Sequence, residues 1–350
     1  MREGFSVKVA MLTDTYDAIG GTEQAIRNSI KVLSDLGHDV RLIHSRRYYK
    51  INSFLSHLQR FNPDLIHVHT PGPLGNVGVL YGRAREIPVV GHFHSLPEVR
   101  LYFGGGFEKR AVLALGWRLM KVFYNSCDVV VVPGREVRRM LRARGFKDLC
   151  VIPYGIDLGI FREAAATKVD MGFDEDDVLL LYVGQFRKDK RVDVLLRAME
   201  MLDERFKLLL VGGNGRGRRG LQRLSQGLDG RAVFHGAVEN HMLPGFYSAA
   251  DLYVNASVSE TLGFSMIEAM ACGTPVVAAS SPGAREIIRD GWNGFLADPE
   301  SPLSLAEKVR VAAEDGRLSV MGRASRDFVA ENYPLERMGE ELDSLYASLV

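Results

Sequence analysis

Twelve short apolar runs, separated by amphipathic stretches, leave this chain few ways to fold. The first six are "VKVAML" (7–12), "DVRLIH" (39–44), "DLIHVH" (64–69), "PVVGHFH" (88–94), "DVVVVPG" (128–134) and "CVIPYG" (150–155). They are rich in β-branched residues and show little polar alternation, the pattern of strands buried on both faces. Between them lie helical stretches such as "GTEQAIRNSIKVLSDLG" (21–37). It spaces Ala25, Ile26, Ile30, Leu33 and Leu36 for one helix face and offers Gly37 as a C-cap. Strand–helix alternation of this kind specifies an α/β fold with a parallel sheet and helices on both sides.

The pattern then restarts. "FREAAATKVDMGFDEDD" (161–177) is weakly periodic and charged, and reads as a linker. Six more runs follow: "VLLLYVG", "KLLLVGG", "AVFHG", "LYVNAS", "PVVAAS" and "GFLAD". The expectation is two tandem Rossmann-like domains with a cleft between them, residues 1–165 and 166–334. The last helix, about 335–350, is placed to cross back onto the first domain. A length of 350 residues suits two cores better than one. The net charge of +1 gives no field for nucleic acid, and Cys127, Cys150 and Cys272 are too scattered for a disulfide or metal framework. The N-terminus runs directly into a strand, without the features of a signal peptide, and no apolar run has membrane-spanning length. A cytoplasmic location is expected.

The stretch with most chemistry is "SETLGFSMIE" (259–268), between the strand-like "ADLYVNAS" and "AMACGTPVVAAS". A helix starting after Gly263 and ended by Gly273 and Pro275 presents the amides of Phe264, Ser265 and Met266 at a strand's C-terminal edge, where phosphate is held well. Gly263 lets the backbone come close. Glu268, one turn in, and Glu260, at the strand's end, are suited to accept hydrogen bonds from vicinal hydroxyls. Phosphate in the middle and polyols at both ends describe a nucleotide-sugar. The competing reading makes the two carboxylates a solvated charge and a capping charge.

This segment, with "PGAREIIRDGWNGFL" after it, resembles the Glu-x7-Glu segment of retaining glycosyltransferases of family four, which have the two-Rossmann GT-B fold. "GGTEQAI", "HTPGPLG", "PVVGHFHS", "VIPYGIDLGIF", "YVGQFRKDKRVDVLL" and "LLLVGGNG" agree in order, so the resemblance covers nearly the whole chain. It implies that Glu268 holds the donor ribose and Glu260 the hydroxyls of its sugar. It puts the amides of Leu262, Gly263, Phe264 and Ser265 against the diphosphate or sugar, and gives Gly20 and Gly21 to a loop closing on the donor phosphate. Lys190 would neutralise the leaving diphosphate, and His94 would contact the sugar at the reaction centre. One departure stands out. The family's usual Gly-Arg-Leu-x-x-x-Lys-Gly reads here Gly184-Gln185-Phe186-Arg187-Lys188-Asp189-Lys190-Arg191. Either Gln185 binds the phosphate more weakly, or Arg187 reaches in along the same strand face.

Other features are weighed beside it. His67 and His69 in "HVHT", with His92 and His94 in "GHFHS", form two His-x-His pairs on adjacent predicted strands, a pattern that can ligate metal. No carboxylate cluster accompanies them, and the resemblance implies a metal-independent enzyme with no cofactor, the nucleotide-sugar being a co-substrate. "GRGRRG" (215–220) satisfies Gly-x-Gly-x-x-Gly but reads as a solvated loop, with Gly212 and Gly213 better placed to pass under a nucleotide. Three basic and apolar segments, 46–61, 101–123 and 135–147, suggest an anionic membrane surface as partner. In the last, Arg135, Arg138, Arg139 and Arg142 share a face. "FHSLPEVRLYF" (93–103) resembles the acceptor region of lipid-glycosylating members. The expected activity is hexosyl transfer from a UDP- or GDP-sugar to a lipid or glycan hydroxyl, on the inner face of a membrane. The alternatives are a non-catalytic homologue and a nucleotide-sugar 2-epimerase.

Overall fold

The structure, a computed structural model, describes residues 6–16, 20–44, 51–97, 108–213, 217–314 and 316–350. Of the expected basic segments, 46–50 and 101–107 lie outside the described residues, as do 98–103 of the acceptor-like stretch and 214–216, which take in the first two residues of "GRGRRG". The chain divides into two compact units: Met1–Gly155 with Leu335–Val350, and Ile156–Pro334.

The first unit is a parallel sheet of β1 (Lys8–Thr13), β2 (Asp39–His44), β3 (Leu65–Val68), β4 (Val89–His92), β5 (Val129–Val132) and β6 (Leu149–Val151). Its strand order is β2-β1-β3-β4-β5-β6. Helices α1 (Gly21–Asp35), α2 (Ile51–Phe61), α3 (Pro73–Arg85), α4 (Glu108–Tyr124) and α5 (Arg135–Ala143) connect the strands. Strand alternation divides the core in two. Ala10, Leu12, Ile66, Val68, Val130 and Val132 pack with α2, α4 and α5. Val9, Met11, Leu65, Val90 and Val131 face the other way, towards Val32 and Leu33 of α1.

In the second unit β7 (Val178–Gly184), β8 (Phe206–Gly212), β9 (Ala232–Gly236), β10 (Leu252–Asn255), β11 (Val276–Ala279) and β12 (Gly294–Ala297) form a sheet of order β12-β11-β10-β7-β8-β9. Its helices are α6 (Val192–Met199), α7 (Arg218–Leu224), α8 (Leu243–Ala249), α9 (Phe264–Ala271), α10 (Pro282–Ile287), α11 (Pro302–Ala312) and α12 (Arg317–Asn332). Residues 161–177 are fastened to this unit: Lys168 pairs with Asp251 at 2.8 Å and Glu163 with Arg326 at 2.8 Å. The final helix, α13 (Leu335–Ala347), belongs to the first unit, where Leu335, Met338, Leu342 and Tyr346 are buried beside α1.

All twelve apolar runs are strands. "GRGRRG" is a correction: α7 begins at Arg218, inside what was read as a loop. Arg218 supplies its first turn and donates to the Phe234 carbonyl at 3.2 Å.

Each strand order reverses once, and open parallel sheets bind ligands at the C-terminal strand ends where it does. In the second unit the reversal falls between β7 and β10, and in the first between β1 and β3.

Candidate functional site

Between β7 and β10, the loops leaving the two strands meet through one ion pair. Lys190, from the loop after β7, donates to Glu260 Oε1, from the loop after β10, at 2.6 Å. Burial alone would raise the Glu260 carboxyl, but the Lys190 charge and hydrogen bond outweigh it and hold it below the usual carboxylate range. Helix α9 starts directly after Gly263, whose φ of 92° is one that glycine tolerates best. The Met266 N–H turns back to the Gly263 carbonyl, while the Glu260 carbonyl accepts from Gly283 N–H at the start of α10. Ser265 is fixed by Tyr253 of β10, whose hydroxyl donates to Ser265 Oγ at 2.7 Å. Leu262 is fully buried against α10.

Glu268 is buried on α9, and the Tyr247 hydroxyl of α8 donates to its Oε2 at 2.8 Å. Burial pushes this carboxyl up to about 7, against the opposing effect of the tyrosine hydrogen bond. Among the described residues no cation pairs with it as Lys190 pairs with Glu260.

The strand geometry expected for Arg187 is corrected, although its charge does reach the site and helps to lower the Glu260 carboxyl. Strand β7 ends at Gly184, so strand alternation does not relate the two residues. The Arg187 guanidinium is held by Asp189, with Nε and Nη2 at 2.8 and 2.9 Å from its carboxylate oxygens. The Gln185 carbonyl accepts from Tyr182. Gly212 and Gly213, at the end of β8, lie against this same loop. A Cβ on Gly213 would come within 2.0 Å of the Phe186 ring, and one on Gly212 within 2.4 Å of the Gly184 carbonyl.

In the first unit, Gly20 is the N-cap of α1 in extended backbone, and Gly21 opens the helix; residues 17–19 before them are outside the described residues. The loops after β1 and β3 are stapled by Asp14. Its carboxylate accepts from Thr70 Oγ1 at 2.8 Å and from Leu74 N–H at 2.9 Å.

His94 lies two residues past β4. Its Nε2 is 2.9 Å from His69 Nδ1 and its Nδ1 is 2.8 Å from the Tyr154 hydroxyl. His67, His69, His92 and His94 form a ladder, with His67 on His69 at 4.3 Å and His92 on His94 at 4.2 Å between ring centroids. His67 Nδ1 meets Tyr346 of α13 at 2.6 Å. Burial, reinforced at three of them by neighbouring imidazoles, drives all four far below the usual histidine value, His67 and His94 to about 3. They are neutral rings. Donor atoms of His67, His69 and His92 lie within 4.8 Å of one another. However, an imidazole ligates through a lone pair in its own plane, and His67 and His69 stack face to face, so an ion in one plane lies off the other.

Tyr247, Tyr253 and Tyr154 escape a reading of the sequence alone. Nothing local marks Tyr247 as the partner of a carboxylate 21 residues on.

Comparison with known proteins adds to this geometry. Residues 164–328 match the family model described as Glycosyl transferases group 1, and residues 44–159 the one described as Glycosyltransferase Family 4. The chain is 31% identical to a D-inositol 3-phosphate glycosyltransferase of Xylanimonas cellulosilytica, over 75% of this chain and 67% of that one. Identity is 34% with an uncharacterized glycosyltransferase of Methanocaldococcus jannaschii, over 81% and 75%. An alpha-monoglucosyldiacylglycerol synthase of Streptococcus pneumoniae is 26% identical over 93% and 83%. Among solved structures, sucrose-phosphate synthase from Thermosynechococcus elongatus superimposes with a TM-score of 0.85 at 23% identity, covering 98% of each chain. Anabaena HepE in complex with UDP and glucose gives 0.80 at 20% identity, covering 98% of this chain and 100% of its own. These structural likenesses establish the GT-B fold.

Proposed function

The chain belongs to glycosyltransferase family 4, and on that premise we propose that it moves a hexose, with retention and without a bound metal, from a UDP- or GDP-sugar to a hydroxyl of a lipid or cell-envelope glycan. The observation that carries this reading is the Lys190–Glu260 pair at the strand-order reversal, beside the first turn of α9 and one helix turn from Glu268. An ammonium, a helix N-terminus and two carboxylates there suit a diphosphate flanked by two polyols. Names of relatives support the substrate classes: one acts on an inositol phosphate, another carries diacylglycerol in its name, and HepE is seen with UDP and glucose.

In this reading Glu268 accepts from the ribose hydroxyls and Glu260 from those of the sugar. The amides of Leu262, Gly263, Phe264 and Ser265 line the diphosphate or sugar. Gly212 and Gly213 lie under the nucleotide, and Gly20 and Gly21 close on the phosphate. The bond from the anomeric carbon to the diphosphate oxygen breaks, and the acceptor oxygen bonds that carbon on the same face. The acceptor's proton passes to the departing phosphate. Lys190 offsets the growing charge, a contribution that belongs to the transition state. His94 meets the sugar as a neutral ring. Where the family has its arginine, Gln185 supplies a weaker phosphate contact, or Arg187, whose charge already acts on Glu260, supplies it instead. Such an acceptor puts the protein at the inner face of a membrane; among the described residues no helix is long and apolar enough to cross one.

The test is turnover of UDP- and GDP-hexoses with lipid and glycan acceptors in excess chelator, with the product's anomeric configuration read by NMR. Retained configuration in chelator supports the reading. Inversion, or strict metal dependence, overturns it.

A further inference from the structure

The loop that carries Lys190 contains a residue in a conformation that its side chain disfavours. Arg191 closes the 3-10 turn Lys188–Lys190 and is also the N-cap of α6, with φ 48° and ψ 39°. This is left-handed backbone, which glycine adopts freely and a residue with a Cβ does not. The family's usual Lys-Gly puts glycine at this point, where this chain has Lys190-Arg191. The conformation takes the chain directly from the turn into the helix. The Arg191 N–H returns to the Lys188 carbonyl at 3.2 Å, and the Arg191 carbonyl accepts from Val194 N–H at 2.9 Å.

The side chain supplies what offsets the strain. It is only 20% exposed and lies between two carboxylates. Its Nε is 3.3 Å from Asp193 Oδ1 in the first turn of α6, and its Nη1 donates to Glu300 Oε1. Glu300 directly precedes Ser301, the N-cap of α11, and is itself left-handed, with φ 60°. Two non-glycine residues, each in backbone that glycine favours, are thus joined by one ion pair. Beneath it Val192 and Leu195 of α6 share a core with Leu305 and Val309 of α11. On its other side Arg191 adjoins Lys190, whose ammonium is 2.6 Å from Glu260.

We propose that Arg191 is a positioning residue for Lys190. Its ion pairs with Asp193 and Glu300 hold the left-handed turn, and the turn aims the Lys190 ammonium at the leaving diphosphate. The role rests on the reading of this loop as the donor site. Strained backbone persists where its surroundings over-determine it, and it clusters where geometry matters to function. An ammonium acting on developing charge has that need, because small displacements of such a group lower the rate steeply.

The experiment compares Arg191→Ala and Arg191→Gly, each alone and combined with Lys190→Ala, in steady-state turnover, calorimetric donor binding and donor-free thermal melting. Alanine removes the ion pairs and keeps the Cβ, so kcat should fall by about tenfold while donor Kd changes by less than about threefold. Glycine also removes the ion pairs but accepts the backbone, so kcat should return to within about threefold of the wild type. In the Lys190→Ala background, Arg191→Ala should lower kcat no further, because its effect passes through the ammonium. A glycine variant as slow as the alanine one overturns the proposal, since the guanidinium itself would then act on the donor. So does a further loss in the Lys190→Ala background, or wild-type kcat in Arg191→Ala, which would leave the ion pairs a purely structural role. Absent turnover in the wild type contradicts the donor-site reading instead, and melting still decides the proposal. Without donor, Arg191→Ala should lower the melting temperature less in Lys190→Ala than in the wild type, and equal losses overturn it.

Discussion

The two units use the same device, a parallel sheet whose strand order reverses once, yet they bury titratable groups near that reversal in opposite ways. The second unit holds a half-buried charge by pairing it, Glu260 against Lys190. The first buries a ladder of four imidazoles on β3, β4 and the residues just beyond, and keeps them by giving up their charge. A buried ion must be paired or discharged: Glu260 is paired, the four imidazoles are discharged, and Glu268, pushed up to about 7, follows the imidazoles rather than its neighbour. The difference matters for chemistry. Lys190 is poised for charge that develops, whereas His94 is poised to hydrogen-bond as a neutral ring.

Acid should separate the two units most strongly. His67 and His94 titrate near 3 in the fold but near the ordinary histidine value when unfolded. The unfolded chain therefore takes up protons first, and the first unit loses stability as pH falls below about 6.5. At pH 5 each of the two costs about 2 kcal/mol. In the second unit Glu268 has the reverse sign. Its folded value near 7 exceeds the unfolded one, so it adds about 2 kcal/mol as pH falls from 7 towards 5. Hydrogen exchange followed by mass spectrometry at pH 7.5 and pH 5 (values chosen to bracket the histidine range) should show the first unit opening and the second protected. Equal loss in both would erase the contrast.

Next in size, Lys190→Ala should lower kcat by on the order of 100-fold while changing the donor Kd by less than about tenfold, if the ammonium acts on the leaving charge. Steady-state kinetics beside calorimetric donor binding reads the split, and equal losses would contradict the role. Tyr247→Phe is a smaller change, costing about 1 kcal/mol. Donor affinity that needs an ionised Glu268 should rise with pH through about 7. Without the tyrosine hydrogen bond that profile moves to higher pH, whereas a purely structural Tyr247 would lower affinity evenly at all pH. The smallest expected effect is a gain: Gln185→Arg should tighten donor binding by up to about tenfold, the worth of one charge-assisted hydrogen bond. Weaker binding would show that this loop is built around glutamine.

The sheets were legible because a strand buried on both faces needs no long-range information: the β-branched runs and the glycines bounding them suffice. Helix α9 was legible for a similar local reason, Gly263 before it and Gly273 after it. Arg187 was not, because its direction depends on where β7 ends and on Asp189 two residues later. Tyr247–Glu268 and His94–Tyr154 are contacts across the fold that no spacing encodes. Helix α4 shows another limit. Val112, Leu115, Leu119 and Val122 have the same hydropathy as a core face, and only the packed structure reveals which apolar face is exposed. The sequence instead drew attention to the arginines of α5, of which Arg135, Arg139 and Arg142 are exposed and Arg138 is half-buried.

The most direct measurement is the thermal stability of the purified protein with UDP-, GDP-, ADP- and CDP-sugars, without added metal, for the wild type and Glu268→Ala. A donor at about 100 times its Kd stabilises the fold by about 2.7 kcal/mol. One nucleotide-sugar should raise the melting temperature of the wild type and fail to raise that of the variant. No shift with any of them, or an undiminished shift in Glu268→Ala, would contradict the assignment of this loop as the donor site.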